Sequence, residues 1–148
     1  MALTKTKRET LGVIFLCFSV CLLSTPSNGD GQPTPYEVLQ SHNLPIGLLP
    51  KGALGYDLDP NDGQFSVNLT NICNIYAGGF KIKCNPTITG VISTNNLDNL
   101  DGVRVKIAVF WIKIEWAKRN GDNIEFKIGN FAKKTFPVSD FTSSPGCS

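Results

Sequence analysis

His42 is the chain's one histidine, and that bounds its acid–base chemistry. With no second imidazole there is no two-histidine metal site and no relay of protons between imidazoles. Scattered hydroxyls beside His42 leave a Ser-His-Asp arrangement formally open, but no Gly-x-Ser-x-Gly elbow stands ready to present a nucleophile. At the end of a short helix, His42 reads more simply as a partner for the C-terminal dipole or as a surface residue. Neither a Walker loop nor a dinucleotide fingerprint is present, so no cofactor is expected. Asp57-x-Asp59-x-Asn61 opens like a calcium loop, yet Asp62 stands where the tight turn needs Gly and Asn68 where a bidentate Glu would close the site. A hairpin turn rich in Asp, Asn and Gly accounts for the same letters. No carboxylate pair singles itself out for glycoside hydrolysis. No catalytic residue and no metal ligand is therefore assigned.

Two other residue groups carry chemistry. Asn68-Leu69-Thr70 is an N-glycosylation sequon, and Asn68 falls on the wet face of its expected strand. Five cysteines are present, of which Cys17 and Cys21 lie in an apolar N-terminal run. In a hairpin turning on Gly78-Gly79, Cys73 and Cys84 face each other as a hydrogen-bonded pair, with Cα atoms about 5.5 Å apart and within disulfide reach. The competing bridge, Cys73–Cys147, ties down the C-terminal tail across a far longer loop. Loop entropy assigns either bridge about 3–4 kcal/mol and does not choose between them. Three cysteines without close spacing make a poor zinc site.

The N-terminus supplies the compartment. Lys5, Lys7 and Arg8 precede an apolar run from Leu11 to Leu23, and Ser-Thr-Pro-Ser-Asn-Gly follows. That order is the one a signal peptide shows. The run is shorter than the ~20 residues that span a bilayer as a helix, and small Ser27 and Gly29 suit cleavage before Asp30. Residues 1–29 are thus expected to leave. The remaining 30–148 are expected to fold as a single secreted domain, a monomer without a transmembrane segment, in an oxidising space where disulfides persist. Removal of Lys5, Lys7, Arg8 and Glu9 turns 14 basic and 12 acidic residues into an even balance. Such a chain lacks the basic surface that displaces counterions from phosphates, and nucleic acid is not an expected partner.

The elements that must position these groups are mostly strands. Thr34-Pro35-Tyr36-Glu37 combines an N-cap, Pro at the first helical position and Glu at the third, which predicts a short helix from Pro35 to about His42. Leu44 to Pro50, apolar but with two prolines, reads as an extended buried connector. Thereafter the period is two: Leu54, Tyr56 and Leu58; the turn Asp59 to Gly63; Phe65, Val67 and Leu69; then Phe80–Cys84, Thr87–Ser93 and Ile124–Ile128. Between Val103 and Trp116 the apolar phase changes. Val103, Val105, Ile107 and Val109 share one side, whereas Phe110, Ile112, Ile114 and Trp116 share the other. Read as one strand, this segment needs a bulge near Val109–Trp111 or cover on both faces. The pattern predicts a mainly β fold, a small antiparallel β-barrel of seven to eight strands, closed or nearly so, with one short N-terminal α-helix.

Tyr36-Glu-Val-Leu-Gln40, Leu44-Pro-Ile-Gly-Leu-Leu-Pro-Lys-Gly52, Gly55-Tyr-Asp-Leu58, Gly63-Gln-Phe-Ser-Val67, Thr87–Ser93, Leu100-Asp-Gly-Val-Arg-Val105, Phe110-Trp111 and Phe136-Pro-Val138 together resemble the plant domain-of-unknown-function 538 family. The match runs from about Pro33 to Cys147. The resemblance implies a land-plant protein on a barrel-like scaffold, similar to lipid-binding barrels and linked to stress responses. It supplies no catalytic residues to carry over. It also places cysteines at Cys73 and Cys147, which tips the pairing towards that bridge and leaves Cys84 as the odd thiol. The leading expectation is a binding module for a small apolar or amphipathic molecule, a lipid being the first candidate, held by Phe65, Val67, Ile107, Val109 and Trp111. Phe110, Trp111 and Trp116 would suit such a cavity, although aromatic residues in a β core are the commoner case. An ester hydrolase built on His42, or a surface module without a cavity, are the competing expectations.

Overall fold

The alternation of period two becomes eight strands, and the capping sequence becomes a helix. The computed structural model describes residues 31–130 and 132–148, so the expected leader at residues 1–29 lies outside the described residues. Helix α1 spans Pro35–Ser41 and is followed by a 3-10 turn at Ile46–Leu48. The strands are β1 (Ala53–Leu58), β2 (Gln64–Leu69), β3 (Cys73–Ala77), β4 (Phe80–Ser93), β5 (Asn96–Ile107), β6 (Phe110–Asn120), β7 (Asn123–Ile128) and β8 (Ala132–Pro137). A last 3-10 turn covers Val138–Phe141. Among the described residues no helix is long and apolar enough to cross a membrane.

Helix α1 starts where its chemistry requires. The Glu37 amide donates to Thr34 Oγ1 at 3.1 Å, and the Thr34 amide donates to Glu37 Oε1 at 2.7 Å. Two donors that no helical carbonyl can reach are thereby satisfied. Seven residues are too few to hold a helix in water, so its persistence rests on packing. Leu39 buries against the sheet. The Tyr36 hydroxyl donates to the Pro50 carbonyl at 2.6 Å, and that of Tyr56 to the Pro33 carbonyl at 2.6 Å. At the other end the Asn95 amide donates to the His42 carbonyl, and Asn43 Nδ2 donates to Asn95 Oδ1, each at 2.8 Å.

All pairings are antiparallel, in the order β8-β7-β6-β5-β4-β2-β1, with β3 added alongside β4. Strand β4 is long enough to take two partners: its first half pairs with β3 and its second half with β2. The expected separate strands Phe80–Cys84 and Thr87–Ser93 are thus one strand. A register irregularity between Cys84 and Thr89 contains Pro86, which has no amide to give a ladder. The mainly β, antiparallel architecture with one short helix is the expected one; outer strands β1 and β8 do not pair with each other, so the sheet is not closed into a barrel. Its inner face is covered by α1, the connector and the last 3-10 turn.

The phase change at Val103–Trp116 has a different cause from the expected bulge. Strand β5 ends at Ile107 and β6 begins at Phe110, with Ala108 and Val109 as a two-residue turn between them. Ala108 has φ +56°, the positive backbone angle that such tight turns need. A reversal of direction, not a slip of register, moves the apolar residues from odd to even positions. A register shift does lie on β5 between Leu97 and Arg104, where Gly102 has φ +102° and a Cβ there would lie 2.6 Å from the Thr87 carbonyl oxygen. Leu54, expected inside with Tyr56 and Leu58, is 70 % exposed because β1 shifts register between Ala53 and Gly55.

The hairpin on Gly78-Gly79 has the register that its turn implies, with Cys73 opposite Cys84. The disulfide nevertheless joins Cys73 to Cys147, with a Cα–Cα distance of 5.0 Å. Three hydrogen bonds bring the tail to that position. The Lys51 amide donates to the Pro145 carbonyl at 2.8 Å, the Ser148 amide to the Asn74 carbonyl at 2.9 Å, and Ser144 Oγ to the Ile46 carbonyl at 2.9 Å. Cys84 keeps a free thiol and is buried.

Candidate functional site

His42, Ser41, Asp59 and Asp62 are each engaged by the nearby backbone. His42 caps the end of α1, and its Nδ1 lies 2.8 Å from the Val38 carbonyl oxygen, which can only accept, so Nδ1 donates there. Ser41 Oγ, 3.2 Å from the same Nδ1, directs its own hydrogen to the Val38 carbonyl at 2.8 Å. A hydroxyl whose proton is committed to the backbone is not being activated as a nucleophile. In the calcium-like segment, Asp59 Oδ1 accepts from the Asn61 amide at 2.8 Å and Asp62 Oδ1 from the Gln64 amide at 3.0 Å. These are the side-chain turns that Asp forms in hairpin loops. Among the described residues no three His, Cys, Asp or Glu side chains gather to hold a metal.

A largely apolar, partly open cavity of about 100 Å³ lies between α1 and the sheet. Val38 and Leu39 of the helix and Leu48 of the connector form its roof; Val67, Ile88 and Ala117 are among the sheet residues below. Its lining is mainly apolar. A smaller void of about 40 Å³ lies among Phe80, Phe136 and Phe141. Ile114 and Phe126 line both spaces and form the wall between them. The ring of Phe126 is held there by Phe136 and Phe141, at centroid distances of 6.0 and 5.6 Å, within the range of favourable aromatic contact.

Of the five residues expected to face a ligand, Phe65 and Val67 line this cavity. Ile107 packs at the margin of the core without reaching it. Val109 is 76 % exposed, because it sits in the β5–β6 turn. Trp111 lies on the outer face of the sheet with the Lys83 ammonium 4.3 Å from its ring centre and that of Lys106 at 5.9 Å. The last two placements correct the expectation, which followed from reading the hairpin as one strand. Helix residues Val38 and Leu39 also line the cavity. Their i, i+1 spacing shows only that they sit near each other on a helix, and which element roofs the cavity is a tertiary matter.

Asn68 is exposed on β2, its Oδ1 accepting from Thr87 Oγ1 at 3.3 Å. Cys84, opposite Cys73 and 3 % exposed, has its thiol pushed up to about 11 by burial.

A family model described as "Protein of unknown function, DUF538" matches residues 35–142. An uncharacterised protein of Arabidopsis thaliana is 27 % identical over 99 residues, covering 66 % of this chain and 57 % of its own length. The chain thus spans a little over half the length of that curated relative.

Proposed function

This chain belongs to the DUF538 family, and on that premise we propose that it is a secreted plant binding module that holds a small apolar or amphipathic ligand, lipid-like in character, beneath helix α1. The observation that carries the reading is the partly open cavity of about 100 Å³ with largely apolar walls of Val, Leu, Ile, Phe, Ala, Pro35 and Tyr56 side chains. Apolar cavities of around 150 Å³ stay dry and take up guests such as benzene or xenon. The space here admits a short stretch of hydrocarbon. Larger ligand pockets run to roughly 300–1,000 Å³, so a full acyl chain enters only if the seven-residue α1 lifts from the sheet. Burial of apolar ligand surface would then contribute about 25 cal/mol per Å² before the costs of association.

The small volume favours a second reading, a surface module whose core merely packs imperfectly. One experiment separates the two. Protein recovered from the medium of plant cells is weighed by native mass spectrometry and then extracted with organic solvent. The ligand reading expects a bound apolar compound, reduced or lost in Ala117→Leu, where a larger side chain rises from the cavity floor. Ligand-free protein in every preparation would leave the surface module as the function. The disulfide and the absence, among the described residues, of a membrane-crossing helix are compatible with secretion. In the same spectra an N-glycan at Asn68 appears as carbohydrate mass that Asn68→Gln removes, and equal masses would show the site unused.

A further inference from the structure

The even charge balance of residues 30–148 hides a segregation that strand pairing creates. Residues 74–84, 103–114 and 127–136 contain Lys81, Lys83, Arg104, Lys106, Lys113, Lys127, Lys133 and Lys134, and no Asp or Glu. Pairing of Ile82 with Val105, Val105 with Ile112, and Ile128 with both Ile114 and Ala132 carries all three segments to one end of the sheet. On the outer face there, Lys83 opposes Arg104 and Arg104 opposes Lys113, so three cations stand side by side across neighbouring strands. Like charges directly opposite destabilise a sheet. Asp101, 3.5 Å from Lys113, relieves one of them. Two residues nearer the hairpin tips, Tyr76 opposes Lys81 and Lys106 opposes Trp111.

The tips themselves are apolar. Tyr76, Val109 and Phe110 are 67 %, 76 % and 66 % exposed, although nothing in the fold requires a large apolar side chain at a solvent-facing turn. Exposed apolar side chains rimmed by cations, with indole rings between, form the combination that settles at a lipid–water interface: apolar groups enter the headgroup boundary, Trp sits at its level and Lys or Arg meet anionic lipids. A soluble polyanion would be met by the cations alone and would leave Val109 and Phe110 unused.

We propose that this end of the sheet docks on an anionic membrane surface, with the β5–β6 turn inserted and the Lys83–Arg104–Lys113 row against the headgroups. The inference goes beyond the cavity reading and does not depend on it. Residues 31–148 contain the compact unit Pro33–Ser148 with its sheet, core and disulfide, and are used so that the apolar N-terminal run does not itself bind lipid. The test is co-sedimentation with vesicles of phosphatidylcholine, with and without phosphatidylserine. Preference for the anionic vesicles is expected, weakened by salt. Each cation near such a surface is worth about fivefold in affinity, so Lys83→Glu with Arg104→Glu should weaken binding at least tenfold. Val109→Ser with Phe110→Ser should also weaken it severalfold without changing its salt dependence. Thermal unfolding without vesicles checks that each variant folds, and Lys83→Gln with Arg104→Gln stands in if the reversal does not. Equal binding to both vesicles, no binding, or an unaffected Val109→Ser/Phe110→Ser variant would overturn the proposal. Binding to soluble polygalacturonate in place of vesicles would overturn it too, and would identify the face as a polyanion site.

Discussion

Cys84 shows how much a single buried group depends on its surroundings. It faces Cys73 across the β3–β4 ladder but has lost that partner to Cys147, and its thiol is buried in the core. Burial disfavours the thiolate, which raises the titration from 9.0 to about 11. The sign follows directly. A folded-state value above the unfolded one means that the unfolded chain gives up its proton first as pH rises, so the contribution to stability is full below pH 9 and is lost between 9 and 11. Two pH units correspond to about 3 kcal/mol. Denaturant unfolding from pH 8 to 11 should show a decline of that order, and Cys84→Ser should flatten it. At pH 8 the folded protein should resist iodoacetamide and react fully once unfolded. Rapid alkylation of the native chain would show that the thiol is not enclosed.

Among the elements, strand β5 is bent at a position that only glycine fills easily. Gly102 combines φ +102° with a backbone approach that leaves no room for a Cβ beside the Thr87 carbonyl. The register shift there lets β5 pass from its pairing at Leu97 with Ala117 to that at Arg104 with Lys113. Gly102→Ala should therefore cost about 1–3 kcal/mol by forcing an L-residue into that backbone angle. Gly121, also at positive φ (+63°) but with open space where a Cβ would stand, is the comparison: Gly121→Ala should cost less. Denaturant midpoints of both variants check this, and equal losses would mean that the close approach to Thr87 does not matter. The same local logic explains α1, whose capping box was legible in four residues because every partner lies within one turn.

At the scale of the molecule, the Cys73–Cys147 bridge closes a sequence separation of 74 residues. Loop entropy for that length gives about 4 kcal/mol. Cys147→Ser should lower unfolding stability by about that amount in denaturant titrations while the β signal in circular dichroism persists. A loss under 1 kcal/mol would mean that the hydrogen bonds of Lys51, Ser144 and Ser148 hold the tail unaided. The bridge also holds the tail beside β3, the strand that pairs with the first half of β4 next to the cationic rows.

What the residues alone determined was whatever is local. The period of two, the helix start at Thr34, the hairpin on Gly78-Gly79 with Cys73 opposite Cys84, and the outward Asn68 all depend on neighbours a few positions away. The family was legible as well, through short strings of residues. The fold in space decided the rest. A phase change along Val103–Trp116 fits a bulge and a tight turn equally well, and only the pairing of Ile107 with Phe110 made it a turn, which put Val109 and Trp111 outside. The partner of Cys73, the roof that α1 lends to the cavity, and the gathering of eight cations at one end are contacts between segments distant in sequence. Composition averages over such contacts, so residues 30–148, even in charge balance, could still gather their cations at one end of the sheet.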